Sequence, residues 1–398
     1  MKRILEKSVK WLLTASGFVT SVVILLIIGF LFTEGAGLFG EPVVEEGYVL
    51  ALNSENPVST LTAAEIKAVF DEDVVNWKDL GGKDMAIETF RLEDVDDHFT
   101  AEELGPQYEN AGAAISGLVA SHPGMVAFVP ESMVPENAGV KLLEDRNISP
   151  GEVLGGKEWF PTATPAPLFG ILPLLAGTIW VSLFAIIFAL PFGISIAVYM
   201  SEVAPEKVRA FLKPVIELLN GIPSVVYGFF GLIVIVPMLQ QVFGLPVGES
   251  GLAGSLVLAI MALPTIVTVA EDAMRNCPRT LREASLALGA TKWQTIYKVV
   301  IPSSMSGIAS GVVLGIGRAV GETMAVLMVT GNAAVIPTSI LEPLRTIPAT
   351  IAAELGEAPA GGAHYQSLFL LGVILFFITF IINLCVEYIS ARNRAKNS

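Results

Sequence analysis

Apolar positions in this chain gather into six long blocks, at 11–32, 172–200, 222–243, 252–270, 306–331 and 368–389, and a long polar stretch separates the first block from the second. A bilayer hydrocarbon core of about 30 Å is crossed by about 20 residues of α-helix, so each block predicts a membrane span. Pro191, Pro237 and Pro264 fall inside three of them. Neighbouring helices satisfy the carbonyls that such prolines free, so the prolines bend the spans without cancelling them. The first block follows Lys2, Arg3, Lys7 and Lys10, and its 22 residues exceed the apolar core of a signal peptide, roughly 7 to 15 residues, which predicts an uncleaved anchor.

The polar positions assign the sides of the membrane. Lys and Arg collect in the N-terminal tail, in the loop of Lys207, Arg209 and Lys213, in the loop of Arg275, Arg279, Arg282, Lys292 and Lys298, and in the tail of Arg392, Arg394 and Lys396. The alternate connections are poor in cations: 244–251 has none and 332–366 has only Arg345. Cations resist translocation, so the basic segments are expected in the cytoplasm, with six spans and both termini inside. Residues 33–165 carry 25 of the 38 acidic side chains and only 7 of the 24 basic ones. They read as an acidic extracytoplasmic domain. The expected organisation is an N-terminal tail and first helix at 1–32, the acidic domain at 33–165, and a five-helix core at 166–398 with a cytoplasmic loop at 271–305.

Composition narrows the function classes. With 53% hydrophobic and 16% charged residues and a mean hydropathy of +0.65, the chain is not expected to be a wholly soluble domain. A net charge of −14 is the wrong sign for holding nucleic-acid phosphates, so nucleic acid is not an expected partner. Cys277 and Cys385 lie far apart, and His98, His122 and His364 are scattered, which suits neither a Cys/His metal cage nor a disulfide framework. No metal ligand and no catalytic residue is assigned.

Within the loop at 271–305, residues 283–302 read EASLALGATKWQTIYKVVIP. Ala284, Leu286, Ala287 and Leu288 make an apolar stripe, Gly289 allows a turn, and Trp293, Ile296, Val299 and Val300 make a second stripe closed by Pro302. Two short helices joined at a glycine are predicted. By physics alone such a hairpin either lies on the lipid surface or docks on a partner. The spacing resembles the signature loop of permease subunits of ABC-type importers: Glu-Ala-Ala, three residues, Gly, nine residues, Ile-x-Leu-Pro. Glu283, Ala284, Gly289 and Pro302 match it, while Ser285, Val299 and Ile301 replace residues of similar size. The resemblance implies a type I importer permease in which Glu283, Ala284, Ser285, Gly289 and Pro302 belong to ATPase coupling. The phosphate-cradling pattern GxxxxGK[ST] is absent from the chain. ATP and Mg are therefore expected on a partner ATPase, with no cofactor bound by this chain and no enzyme activity of its own. The lysine-free cluster Gly315, Gly317 and Gly321 predicts helix packing through Gly317-x-x-x-Gly321.

The fifth block contains Arg318 and Glu322. Placing an Arg at mid-bilayer costs about 2.5 to 3.5 kcal/mol on insertion scales, so such a residue is expected to face protein or an aqueous path. On a continuous helix the two would share one face, about 6 Å apart along the axis. One reading is a self-neutralising ion pair, although Arg before Glu is the weaker order for it. The other is a binding point for a tetrahedral oxyanion, with Gly317 and Gly321 leaving room for a passage. The guanidinium fork matches phosphate oxygens, and the carboxylate repels any anion without a proton to donate. Hydrogen phosphate has that proton and sulfate does not.

Residues 219–232 (LNGIPSVVYGFFGL), 263–296 and 317–332 (GRAVGETMAVLMVTGN) resemble phosphate ABC importer permeases of the PstC type, and the likeness runs over 169–389. The resemblance implies an all-α polytopic membrane protein of six transmembrane helices in the bacterial inner membrane. It also implies a sister permease of the PstA type, an ATPase subunit dimer, an extracytoplasmic phosphate-binding protein and membrane lipid as partners. Arg318 and Glu322 would lie on the substrate path. Gly221, Pro223 and Ser224 would mark a path or hinge, or only a proline-broken helix start. The alternatives are a permease for another oxyanion such as molybdate, tungstate or sulfate, and an envelope-sensing membrane receptor.

The acidic domain predicts an inserted α/β lobe between the first two spans: a helix at 62–70 capped by Thr62 with Glu65, a strand at 85–90, a helix at 111–121 and a strand at 125–129. Residues 61–82 and 121–132 resemble segments of periplasmic phosphate-binding proteins. In those proteins an Arg precedes a Ser-Gly-Ser or Ser-Gly-Thr run that holds the anion, whereas Arg91 here precedes Leu92, Glu93, Asp94, Val95, Asp96 and Asp97. Phosphate binding is not expected there. The lobe reads as a docking surface for the binding protein or another envelope partner, as a passive cap, or as a ligand sensor.

Overall fold

The computed structural model describes residues 2–134 and 139–397. They form two compact units, one of Ala36–Ile171 with Gly361–Ser367, the other of Leu172–Ala360 and Leu368–Ser398 with the N-terminal helix as far as Gly35. The acidic unit thus runs to 171 instead of 165, and takes in a short segment that the sequence reading assigned to the five-helix core.

The chain opens with α1 (Lys2–Gly37), and the acidic unit follows with β1 (Tyr48–Asn53), α2 (Ala63–Phe70), β2 (Glu88–Arg91), α3 (Ala111–Ser121), β3 (Met125–Pro130) and β4 (Val140–Leu142). The strands form one sheet in the order β2-β3-β1-β4. β1 lies antiparallel to β3, with Leu50 opposite Phe128, and antiparallel to β4, while β2 runs parallel to β3. Side chains alternate across a sheet, so β3 faces both ways. Ala127 joins Ile115 and Val119 of α3 in one core with Phe90, while Phe128 meets Phe70 of α2 edge to face, ring centroids 6.4 Å apart. The helix α2 begins with a capping box, Thr62 Oγ1 accepting from the Glu65 amide (3.1 Å) and the Glu65 carboxylate accepting from the Thr62 amide (2.7 Å). The strand expected at 85–90 starts later, at Glu88, because its first residues are engaged elsewhere: Trp77 N–H donates to Met85 O and Ile87 N–H to Val75 O. That turn places Trp77 in the interior, fully buried, with its indole N–H donating to Gly124 O at 2.8 Å.

The membrane unit continues with α4 (Leu172–Val198), which ends in a π turn at Tyr199–Val203, and α5 (Glu206–Asn220). Next come α6 (Ser224–Phe230), running through a second π turn at Gly231–Ile235 into α7 (Val236–Phe243), and α8 (Gly251–Arg275). Then follow α9 (Arg279–Ala287), α10 (Lys292–Thr295), α11 (Met305–Val320), α12 (Met324–Val329), α13 (Ile347–Glu354) and α14 (Ala363–Asn397). Five of these elements, α1, α4, α6 with α7, α8 and α14, are long and apolar enough to cross a membrane. Lys292–Ser303 and α11 meet the same length and composition test only together, bent by 68°, and make a sixth where the pair counts as one span. α8 is the centre of the unit: Ala253, Val257, Leu258 and Met261 pack with Val181 and Ala185 of α4, Tyr227 of α6 and Val326 and Val329 of α12. The apolar window of α1 has none of its residues buried, as suits a helix whose neighbour is lipid.

Two expectations for the fifth span are corrected. It is not one helix over 306–331: α11 stops at Val320, Gly321 is its C-cap, and a new helix starts at Met324. The 16 residues of α11 rise about 24 Å, short of the hydrocarbon thickness. Nor do Gly317 and Gly321 make the helix contact. Nothing lies within 4 Å of the position a Cβ would take at Gly317, and at Gly321 only the Gly317 carbonyl does. Contact is made one stripe over, by Gly307, Gly311 and Gly315 against Ala273, Val269 and Ile266 of α8. A Cβ at Gly307 would come within 2.3 Å of the Ala273 methyl, so bare backbone is needed there for the helices to approach.

Candidate functional site

The loop at 271–305 contains two short helices. α9 carries Glu283, Ala284 and Ser285, and the chain then turns at Gly289, whose φ of +83° costs an L-residue about 1 to 2 kcal/mol. Thr291 caps α10 in a box with Gln294. Ser285 Oγ and Thr295 Oγ1 lie 3.0 Å apart and tie the two helices together, which gives the Ser at this position a role an Ala lacks. Glu283, Ala284, Gly289 and Pro302 are exposed. The two apolar stripes divide. Ile296 and Val300 enter a core with Ala197, Val198, Ala270 and Met274, while Leu286, Trp293 and above all Leu288, 90% exposed, stand outside it.

Charged groups hold this hairpin to the spans. Arg282 of α9 lies 2.8 Å from the Glu202 carboxylate in the π turn after α4, and donates to Met274 O at 2.7 Å. Beside it, Lys213 of α5 donates to Glu271 (2.9 Å) and Asp272 (3.0 Å) at the C-terminal end of α8, and Arg275 lies 3.5 Å from Glu271. The hydrogen bond to Glu271 is the main cause that holds the Lys213 ammonium above the usual lysine range, against the opposing pull of burial. Glu271 itself is fully buried, which makes removal of its cation partners costly.

Arg318 and Glu322 are not brought together as one helical pair. Arg318 is on the last turn of α11, Glu322 is beyond the break, and neither is part of any ion pair among the described residues. The Glu322 carboxylate accepts from the Ala325 amide at 3.3 Å, at the start of α12. The Arg318 guanidinium instead meets neutral groups from two other elements. Its Nη1 donates to Asn220 Oδ1, at the end of α5, and reaches Thr265 Oγ1 of α8 at 3.5 Å. Thr265 Oγ1 in turn donates to Asn220 Oδ1 at 3.4 Å. Tyr227 of α6 turns its hydroxyl to Leu219 O, 2.8 Å away, in the turn of chain beside Asn220. A half-buried cation with neutral partners keeps its charge for something else.

Gly221, Pro223 and Ser224 form the link between α5 and α6. Gly221 closes α5 with an ordinary negative φ of −86°, and Pro223 is the residue from which α6 starts. Of this link it is Asn220, one residue earlier, that touches the cation. Sequence reasoning missed Asn220, Thr265, Glu202 and Glu271. Thr265 carried a readable signal, a polar residue directly after Pro264 inside an apolar block, and so did Glu271, an acid at the end of one.

In the acidic unit Arg91 stacks over the Phe70 ring, 5.1 Å from its centroid, and its own amide donates to Asp94 at 2.9 Å. The residues after it form a 3₁₀ turn at Leu92–Asp94 that presents carboxylates.

Comparison with known proteins places this geometry. The family model described as "Binding-protein-dependent transport system inner membrane component" matches residues 189–395. The chain is 42% identical over 259 residues to a probable ABC transporter permease protein, YqgH, of Bacillus subtilis, across 64% of this chain and 84% of the relative. It is 39% identical over 262 residues to the phosphate transport system permease protein PstC of Mesorhizobium japonicum, across 61% and 79% respectively. The PstC of Pasteurella multocida is 38% identical over 233 residues, across 54% and 72%. The chain belongs to the family of binding-protein-dependent transport system inner membrane components.

Proposed function

We propose that this member of the binding-protein-dependent transport family is the permease subunit of an ATP-driven importer, forming the transmembrane path for inorganic phosphate by alternating access. One observation carries the substrate reading: Arg318, at the end of a membrane helix, is held by an amide and a hydroxyl and has no carboxylate within ion-pair distance among the described residues. A guanidinium in that state offers charge and a planar donor fork to a tetrahedral oxyanion. The naming of relatives such as those of Mesorhizobium and Pasteurella as phosphate permeases supports the same substrate. Glu322, displaced from Arg318 by the helix break, serves as the acceptor for the proton that hydrogen phosphate carries, and so selects against sulfate.

In this reading both termini are cytoplasmic and the hairpin at Glu283 to Pro302 docks on an ATPase subunit dimer, where ATP and Mg are bound. Leu286, Leu288 and Trp293, exposed in this chain, are then covered by that partner. A sister permease of the PstA type completes the path, and an extracytoplasmic phosphate-binding protein delivers to it. The test is reconstitution in liposomes with candidate sister permease, ATPase and binding-protein partners. ATP-dependent uptake of labelled phosphate is expected, unaffected by excess sulfate, and Glu322→Gln is expected to let sulfate compete. Absence of uptake, or uptake of sulfate or molybdate in preference to phosphate, overturns the reading.

A further inference from the structure

We propose that Asn220 is a substrate-contacting residue, positioned by Thr265, which together with Arg318 makes an oxyanion subsite built from three elements. The inference rests on the phosphate-path reading above and deepens it.

The argument starts from what each group can do. A guanidinium only donates, so the carboxamide beside it must present its oxygen, which fixes the orientation of the Asn220 amide. Asn220 Oδ1 takes Nη1–H of Arg318 and the hydroxyl hydrogen of Thr265. Both hydrogens on Nδ2 are then held away from the cation, and among the described residues they have no partner. Nη1 of Arg318 is engaged with Asn220 and Thr265, while the Nη2 and Nε donors have no protein acceptor among the described residues. The groups left open are the Nδ2 hydrogens of Asn220 and the Nη2 and Nε hydrogens of Arg318, all of them donors beside one fixed positive charge, with no carboxylate among the three residues. Such a set is matched to an anion with several acceptor oxygens.

The placement supports a site and not a structural tie. The three residues come from the end of α5, the residue after Pro264 in α8, and the last turn of α11. Asn220 and Arg318 are at helix ends and Thr265 follows a proline within an unbroken helix, places where membrane proteins build polar sites from groups that regular helix leaves occupied. Asn220 is exposed, and Thr265 and Arg318 are half-buried in this chain. The space around a Cβ at Gly317, next to Arg318, is empty. A purely structural cation clamp in a membrane helix needs a counter-charge, and none is present here among the described residues.

The chemistry makes Asn220→Asp the decisive variant. It keeps the shape but sets a carboxylate against Arg318, neutralising the subsite and repelling the anion. In the reconstituted complex we expect the half-saturating phosphate concentration to rise by about tenfold or more, with partial recovery as the pH is lowered and the new carboxyl protonates. Thr265→Val is expected to raise half-saturation by several-fold, and Thr265→Ser to restore it. Wild-type half-saturation in both Asn220→Asp and Thr265→Val, in a complex where Arg318→Ala abolishes uptake, overturns this inference and leaves the phosphate reading standing. A wild-type complex that does not transport phosphate, by contrast, removes the reading itself. Loss of maximal rate with unchanged half-saturation and no pH rescue assigns both residues to packing and also overturns the inference.

Discussion

The guanidinium of Arg282, on the first helix of the hairpin at 279–302, lies 2.8 Å from the carboxylate of Glu202, at the end of the second span. Glu202 is in the π turn that ends α4, and the same guanidinium nitrogen, Nη2 of Arg282, donates to Met274 O at the end of α8. One side chain thus links the exposed hairpin to the ends of two membrane helices. A force applied to Leu286, Leu288 and Trp293 by a partner passes into α4 and α8 through this contact and through Ile296 and Val300.

Arg282→Ala is therefore expected to reduce ATP-driven uptake by about tenfold, the equivalent of about 1.4 kcal/mol, while the protein still inserts in membranes. Arg282→Glu combined with Glu202→Arg is expected to recover part of the loss. Uptake and ATP hydrolysis measured together on the same vesicles check it: transport equal to wild type in Arg282→Ala removes the linkage. Ala284→Asp, on the exposed face of the same helix, is expected to abolish coupling through a different route, by placing a charge on the face proposed to meet the ATPase, and a double mutant should show no rescue between the two.

The glycine stripe of α11 carries a stability prediction. At Gly307 the neighbour that a Cβ would strike is the Ala273 methyl, on a side chain with no rotamer to yield, so substitution must push the helices apart. Gly307→Val is expected to lower stability by about 1 to 3 kcal/mol, seen as an earlier melting transition in detergent and as less folded protein in membranes. Gly317→Ala, ten residues along the same helix but facing open space, should melt with the wild type. Equal melting of both variants would show that the stripe does not set the α8–α11 approach.

Lys213 supplies a pH dependence with a definite sign. Its ammonium is stabilised in the folded state by Glu271 first and Asp272 after it, so its affinity for a proton is higher folded than unfolded. The stabilisation is fully present below the unfolded lysine value, about 10.4, and is lost only as the pH rises through the higher folded value. The difference in melting temperature between wild type and Lys213→Met is expected to stay constant from pH 7 to about 9.5 and to shrink beyond about 10.5. A difference that vanished between pH 7 and 9 would assign the stabilisation to another group.

How much of this was legible along the chain follows from the range of the forces involved. Lipid imposes its demand residue by residue, so the six blocks and their basic flanks could be read locally. So could the capping box of Thr62 and Glu65, which spans three residues, and the helix Ala111–Ser121. The break at 321–323 could not. Gly321, Glu322 and Thr323 sit between apolar runs, and periodicity does not register that the Glu322 carboxylate begins a new helix by accepting from Ala325. The partners of Arg318 were hidden for a different reason: Asn220 is 98 positions away and Thr265 is 53, and nothing local joins them. The strands β1 and β4 belong to the same class, since each is stabilised by a register with a distant partner.

The acidic unit gives the last prediction, and it concerns a cation that is already occupied. Arg91, expected from the sequence not to hold phosphate, has its guanidinium over the Phe70 ring, and the chain after it returns carboxylates, with Asp94 capping the Arg91 amide. A cation over an aromatic face is satisfied by the ring quadrupole, at about 0.5 to 1 kcal/mol when exposed, and Glu93, Asp94, Asp96 and Asp97 lower the potential that an anion would meet. Arg91→Ala is thus expected to leave the half-saturating phosphate concentration of the reconstituted importer within about twofold of wild type, while slightly lowering the thermal stability of the unit through loss of the Phe70 contact. Calorimetric titration of the whole chain in detergent with phosphate should show no heat that disappears with Arg91→Ala. A large rise in half-saturation, or heat of binding that depends on Arg91, would mean that this lobe takes up phosphate itself and hands it to the spans.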